Sequence, residues 1–242
     1  MKYIALLLML TMTIFADEQR MSKAPIIAEA KAKQALVERL QEANFQLTEN
    51  QMLYDVLFYG LDLFPDVASQ TLFGDVSMRA IAGATGLEAV DLDFLDDMIV
   101  DSVFCDGAPA AFTHANDILT VMPDRRIVRD ALFTTRVLYH GKPSKSGFGA
   151  FGFDTFAGKP MIWTLSEPYG ARNWWPCKDA PVDKADSVDI SVKVCSDLIV
   201  ASNGKLVDVI GENGFKRYQW QERYPIATYL VSLAIHPYYT YS

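Results

Sequence analysis

Apolar and polar residues alternate along most of this chain with a period of two, the spacing of a half-buried β-strand. The alternation runs through Tyr54–Phe64, stops at Pro65-Asp66, and resumes over Leu72–Ile81, Leu87–Leu95 and Met98–Phe104. Asp106-Gly107-Ala108-Pro109 turns the chain into Ala111–His114, and Asp117–Met122 and Ala131–Tyr139 follow. Later strands are expected at Ser187–Cys195, Leu198–Ser202, Val207–Ile210, Tyr218–Gln221 and Thr228–Ile235. Asn203-Gly204 reads as a hairpin turn and Asn213-Gly214 as a second break. Short strands between polar turns predict an all-β fold, an antiparallel sandwich or curved sheet.

The period is different before residue 50. Ser22 offers a cap, Pro25 suits a first turn, and Ile26, Ile27, Ala30, Val37, Leu40 and Phe45 recur near helical spacing. Charged residues fill the other face, so residues 22–44 read as an amphipathic helix that packs on the body or links to it. Lys2, the apolar run Ile4–Phe15 and the small Ala16 have the order of a secretory signal peptide. The run is too short to span a bilayer comfortably, so removal rather than anchoring is expected. The expected division is a signal peptide over 1–16, a helical extension over 17–50 and a β domain over 51–242. The protein is read as exported, to a periplasm or the outside.

Composition narrows the partners. The 242 residues are 50% hydrophobic and 21% charged, enough to bury a sizeable core. A net charge of −8 and a pI near 4.9 argue against nucleic acid and anionic membrane surfaces. They favour cationic partners, of which a peptide's free ammonium group is one. Three cysteines, Cys105, Cys177 and Cys195, cannot all pair. Free, buried thiols are expected, with one bridge such as Cys177–Cys195 left open.

Candidate chemistry is sparse. His114, His140 and His236 stand far apart, with no zinc-binding helix spacing, and each reads as a surface or satisfied β histidine. Gly147-Phe-Gly149-Ala-Phe-Gly152 has the spacing of a phosphate-binding loop, but no helix pattern follows it, so it reads as a glycine-rich hairpin. The densest stretch is Thr164–Pro181, which holds Glu167, Arg172, Trp174, Trp175, Cys177 and prolines at 168, 176 and 181. Prolines so placed forbid a regular helix and remove ladder donors, which predicts a stiff, shaped loop. Taken alone, Trp-Trp-Pro-Cys reads more readily as a hydrophobic plug than as a site, although shaped loops on a β scaffold are where binding residues usually sit.

The loop also carries a resemblance. Thr164-x-x-Glu167-Pro168-x-x-Ala171-Arg172-x-x-x-Pro176-Cys177-x-Asp179-x-Pro181, with Asp189-x-Ser191-Val192 and Val200-Ala201-Ser202-Asn203-Gly204, resembles the N-terminal β domain of aminopeptidase N family (peptidase family M1) zinc metallopeptidases. The strand at Tyr54-Asp55-Val56 and the segment Arg223–Ala234 are similar to that domain's first and last strands. The resemblance implies a saddle-shaped β domain leaning on a thermolysin-like catalytic domain, peptide N-termini as ligands, and zinc in that catalytic domain. It further implies that Glu167 holds the substrate's free α-amino group, that Arg172 braces the loop and that Trp174 and Trp175 pack it. A unit charge pair at about 4 Å is worth roughly 4 kcal/mol at an effective dielectric of 20, before desolvation is charged against it.

Two departures stand out. Leu165 occupies a position where the family often has glutamine, making that pocket wall apolar, and Asp179-Ala180-Pro181 replaces the usual Asp-Glu-Pro. The family's Gly-x-Met-Glu-Asn strand and its His-Glu-x-x-His helix have no counterpart here, so the chain is expected neither to bind catalytic zinc nor to cleave peptides by itself. No catalytic or metal-ligating residue is assigned to it. A non-catalytic peptide- or protein-binding module is the competing reading, and self-association through a bared apolar face is expected where the catalytic domain would lean.

Overall fold

The computed structural model describes residues 47–143 and 150–239. The signal-peptide and amphipathic-helix expectations, and Gly147 and Gly149, lie outside the described residues. Among these residues the chain forms β1 (Tyr54–Asp66), β2 (Thr71–Ala82), β3 (Val90–Asp93), β4 (Met98–Cys105), β5 (Ala108–Pro109), β6 (Ala111–Ala115), β7 (Ile118–Met122) and β8 (Leu132–Gly141). It continues with β9 (Phe151–Phe156), β10 (Lys159–Thr164), β11 (Ser187–Cys195), β12 (Ile199–Ser202), β13 (Lys205–Glu212), β14 (Phe215–Glu222) and β15 (Leu233–His236). Short 3-10 turns at Gln51–Leu53, Ala171–Asn173 and Thr228–Leu230 complete it.

The strands form three sheets. The large one has eight strands in the order β13-β14-β11-β1-β2-β8-β4-β5, the second has the order β12-β15-β10-β9 and the third β3-β7-β6. The large sheet is open, ending at β13 and β5, and bulges near Leu57, Asp101 and Val207 break its register. Such bulges add local twist and curvature. One face of it supplies Tyr59, Leu61 and Leu63 from β1, Val76 and Met78 from β2, and Ile190 and Val192 from β11, all buried. These join Val90, Leu119 and Val121 of the third sheet and Phe151, Ile162 and Ile235 of the second in one core. The other face of the large sheet, with Asp62, Asp75 and Arg136, opens to solvent.

The all-β expectation holds, with four corrections. β1 and β11 run parallel, Leu61 opposite Ile190, so the large sheet is mixed rather than antiparallel. Strands joined by hairpins must pair antiparallel, whereas β1 and β11 are separated by β2 to β10 and the loop. Asn203-Gly204 is not a hairpin: β12 pairs with β15 and β13 with β14, so the chain changes sheets there. Asn203 instead clamps a neighbouring loop, its side chain accepting from Ser232 N at 2.6 Å and donating to Leu230 O at 2.9 Å. The segment Thr228–Ile235 is a 3-10 turn followed by a four-residue strand rather than one strand. Strand β3 is shorter than expected, Leu87 making just a single bridge with Ile127. Asn213-Gly214, by contrast, does turn β13 into β14, with φ of 45° and 85°.

Candidate functional site

The Thr164–Pro181 stretch leaves β10 and crosses the buried junction of the three sheets. Its backbone is tied at both ends: Leu165 N donates to Ala150 O, and Cys177 and Asp93 exchange N–H···O bonds of 3.2 and 2.7 Å. Between them the chain turns tightly, Gly170 N donating to Ser166 O at 2.7 Å and Trp174 N to Ala171 O at 3.1 Å. A side chain at Gly170 would press on Ser166 and on Ala150 at 3.1 Å, so the close crossing favours glycine.

The two tryptophans do the packing expected of them. Both are fully buried; Trp175 meets Tyr59 edge-on at 4.9 Å, and Trp174 packs on Phe151 at 5.7 Å. Trp174 also donates from Nε1 to Ser166 Oγ at 2.9 Å, and its carbonyl accepts from Tyr139 Oη at 2.7 Å. The residues on either side of Glu167 are thus fastened downward, into the protein.

Arg172 braces the loop through ions. Its Nη1 lies 3.1 Å from Asp93 Oδ1 and its Nε 3.3 Å from Asp179 Oδ2. Asp93 Oδ2 also accepts from Gln51 Nε2 and from Asp179 N, both at 2.8 Å, and Asp179 Oδ1 accepts from Thr228 Oγ1 at 2.7 Å. This one cluster joins β3, the loop and two 3-10 turns. Burial raises the carboxyl pKa of both Asp93 and Asp179, against the lowering effect of Arg172. Desolvation of the two carboxylates outweighs the one guanidinium they share, which accounts for that direction. Burial alone would lower the Arg172 pKa, but the two carboxylates outweigh it and raise it.

A second buried ion lies beside it. Lys178 Nζ donates to Tyr54 O at 2.7 Å, sits 2.5 Å from Asp183 Oδ2 and lies over the Tyr54 ring at 4.7 Å. Sequence reading identified neither Asp93 nor Lys178 as important. The available signal was Val90-Asp91-Leu92-Asp93, a strand whose carboxylates occur where all four residues are buried.

Glu167 is the exception in this stretch. It is exposed, directly after the buried Ser166, and has no hydrogen-bond or ion-pair partner among the described residues. The Glu167–Pro168 peptide is cis. Leu165, also exposed, puts an apolar side chain two residues before it.

The other candidates are structural. His114 faces Phe94 O at 2.9 Å, His140 faces Asp101 at 2.9 Å and His236 faces Pro160 O at 2.8 Å. All three are satisfied within the β framework, as expected. Cys105 and Cys177 are buried free thiols; Cys195 is free but exposed, which corrects the expectation for that residue and leaves Cys177 and Cys195 unbridged. Gly152 lies in β9 opposite Trp163 rather than in a turn, and the hairpin there turns at Ala157-Gly158. Tested as a metal centre, the described residues do not fit: no three His, Cys, Asp or Glu side chains gather around a common point.

Fold and site together define a β scaffold that buries Ser166, Trp174 and Trp175 around one exposed carboxylate, Glu167. The family follows from comparison: the model of the peptidase M1 N-terminal domain matches residues 54–230, and the chain belongs to that family. It is similar to the M1 zinc metallopeptidase of Deinococcus radiodurans, with 27% identity and a TM-score of 0.68 over 77% of this chain. A mutant of that enzyme solved with a Tyr-Ser-Ala substrate matches equally well. Aminopeptidase M1 of Arabidopsis thaliana is 26% identical over 188 residues. The chain spans 43% of the Deinococcus chain and 21% of the plant protein.

Proposed function

We propose that this chain is the substrate-recognising front of an exported zinc aminopeptidase, in which Glu167 holds the free α-ammonium group of a peptide. The observation that carries this reading is Glu167 itself, exposed and partnerless among the described residues on a loop pinned on either side by the buried Ser166 and by Trp174, Trp175 and Asp179. A carboxylate kept at a fixed place lets a peptide align by its charged end alone, so that the first peptide bond is the one presented. The work of this chain is binding and registration. A separate thermolysin-like domain would hold the zinc, which when bound supplies carbonyl polarisation and water activation.

Support comes from family membership and from the relative solved with a tripeptide substrate. Rigidity matters because a charge that moves with its loop loses orientation as well as energy. The Arg172 cluster and the two tryptophans supply that rigidity. The apolar Leu165 beside Glu167 favours an apolar first side chain in the ligand.

The test joins this chain to an M1 catalytic domain and compares Glu167→Ala and Glu167→Gln with the parent on aminoacyl anilides. Loss of a fully used charge contact costs about 2–5 kcal/mol, so kcat/KM should fall by about 1.5 to 3.5 orders of magnitude. The same assay on N-acetylated peptides should show no comparable loss. If hydrolysis of free-amine substrates is barely altered, the anchor role is wrong. Export is checked by the N-terminal sequence of secreted material, which should begin at Asp17.

A further inference from the structure

Among the described residues the eight-stranded sheet has two free edges, and they are built differently. β5 is two residues long and ends in Pro109, which has no N–H to offer a further strand. β13 is eight residues long, contains no proline, and is paired on one side only, with β14. Its outer backbone donors and acceptors lack a strand partner among the described residues, and Leu206, Val207, Val209 and Ile210 are 39%, 50%, 41% and 44% exposed. An apolar edge of this length is a template for another strand.

Register fixes which side chains share a face. Lys205 stands opposite Gln221 and Asp208 opposite Gln219, so the extra residue Val207 brings Lys205 and Asp208 to the same side of the sheet. Leu206 stands opposite Trp220, which in turn stands opposite the buried Ile190. Leu206 therefore carries the core side of the sheet out to its edge, where it meets solvent.

We propose that β13 pairs antiparallel with β13 of a second copy of this chain, about a two-fold axis between Leu206 and Val207. An antiparallel edge is complementary to itself, because a half-turn sets its donors against its own acceptors. With the axis there, Lys205 of each copy faces Asp208 of the other, which gives two opposite-charge pairs. Between them Leu206 of each copy meets Val207 of the other. The extra residue sits at the same place in both strands, so the pairing between copies runs through it without a mismatch. Sliding the register by one residue sets Lys205 against Val207 or Val209, and Asp208 against Gly204 or Leu206, so charge selects the first arrangement. A strand of unrelated sequence has no such built-in match. The contact uses the same edge on both copies and therefore closes at two.

Sedimentation equilibrium of the full chain over a concentration series tests this. A monomer–dimer equilibrium is expected, with nothing larger. Asp208→Lys sets like charges opposite each other twice, and Val207→Lys places a charge at the axis. Each should raise the dimer dissociation constant by about tenfold or more. Lys205→Asp combined with Asp208→Lys exchanges the signs and should restore dimerisation. All three positions are exposed, and an unchanged melting temperature in each variant, measured where the parent is monomeric, separates lost association from lost fold. A monomer at every concentration up to about 0.1 mM, a dimer indifferent to both single variants, or a charge exchange that recovers nothing overturns the proposal.

Discussion

Arg172 and Asp93 meet at 3.1 Å across the junction of the loop and β3, and the same guanidinium reaches Asp179 at 3.3 Å. One cation thus compensates two carboxylates, one of them fully buried and the other nearly so. Removing the cation and removing a carboxylate are therefore opposite changes. Arg172→Met leaves both acids uncompensated and should destabilise the fold by about 3–5 kcal/mol in urea unfolding. Asp93→Asn relieves negative charge but sets an amide NH2 against either Arg172 Nη1 or the Gln51 and Asp179 donors, so its cost should be about 1–3 kcal/mol, below that of Arg172→Met. Equal costs would mean that charge balance does not govern the cluster.

The same cluster sets a pH dependence opposite to that of an ordinary salt-bridged acid. Asp93 and Asp179 have carboxyl pKa values raised above the ordinary 3.8, first by burial. A raised carboxyl pKa means the folded chain binds the proton more tightly than the unfolded one. The contribution to stability is then greatest below the unfolded value and is lost as pH rises from about 3.8 through the folded value. Comparing urea unfolding of the parent with Asp179→Asn, the parent's relative stability should fall as pH rises across that window. A relative stability that grows with pH would show that Arg172 outweighs desolvation.

How far the sequence foretold this arrangement depends on how local the cause was. Ser187–Cys195 was readable to the residue because Val188, Ile190, Val192 and Val194 all point into one core. Glu167, Arg172, Trp174 and Trp175 stood out because prolines and aromatics crowd the same short stretch. The parallel pairing of β1 with β11 was not readable, since both strands show the same alternation whichever way they pair. Asn203 was misread because the residue types that suit a hairpin also suit a side-chain clamp, and the partner at Ser232 is distant in sequence. Asp93 was missed for a related reason: a carboxylate in a strand looks solvated until its cation is known, and Arg172 lies on another element.

The thiols give a direct probe of burial. Burial pushes the Cys105 thiol up to about 11, and Cys177, fully buried, rises well above its ordinary value. The thiolate is the nucleophile, so neither should react with iodoacetamide at pH 8 in the folded chain. Cys195 is exposed and free. Mass spectrometry should find one label per folded chain, at Cys195, and three after denaturation in urea. A disulfide-linked peptide joining Cys177 and Cys195 would contradict the structure.

The loop's footing can be disturbed from a residue outside it. Gly74 in β2 lies against the Tyr139 ring, and a methyl group there would fall 2.2 Å from Tyr139 Cζ and 2.4 Å from its hydroxyl. That hydroxyl holds the Trp174 carbonyl at 2.7 Å, and the ring packs edge-on against Phe94 at 4.9 Å. Gly74→Ala must displace a buried ring, at about 1–3 kcal/mol for overpacking, and frees a buried carbonyl at about 1 kcal/mol or more. Tyr139→Leu removes the obstacle at its own cost in cavity and hydrogen bond. Since both changes act on the same space, Gly74→Ala should cost much less in the Tyr139→Leu background than alone. Urea unfolding of the four chains measures this coupling. Strict additivity would show that the alanine strains the strand itself, and that the line from Gly74 through Tyr139 to the Trp174 carbonyl does not carry the effect.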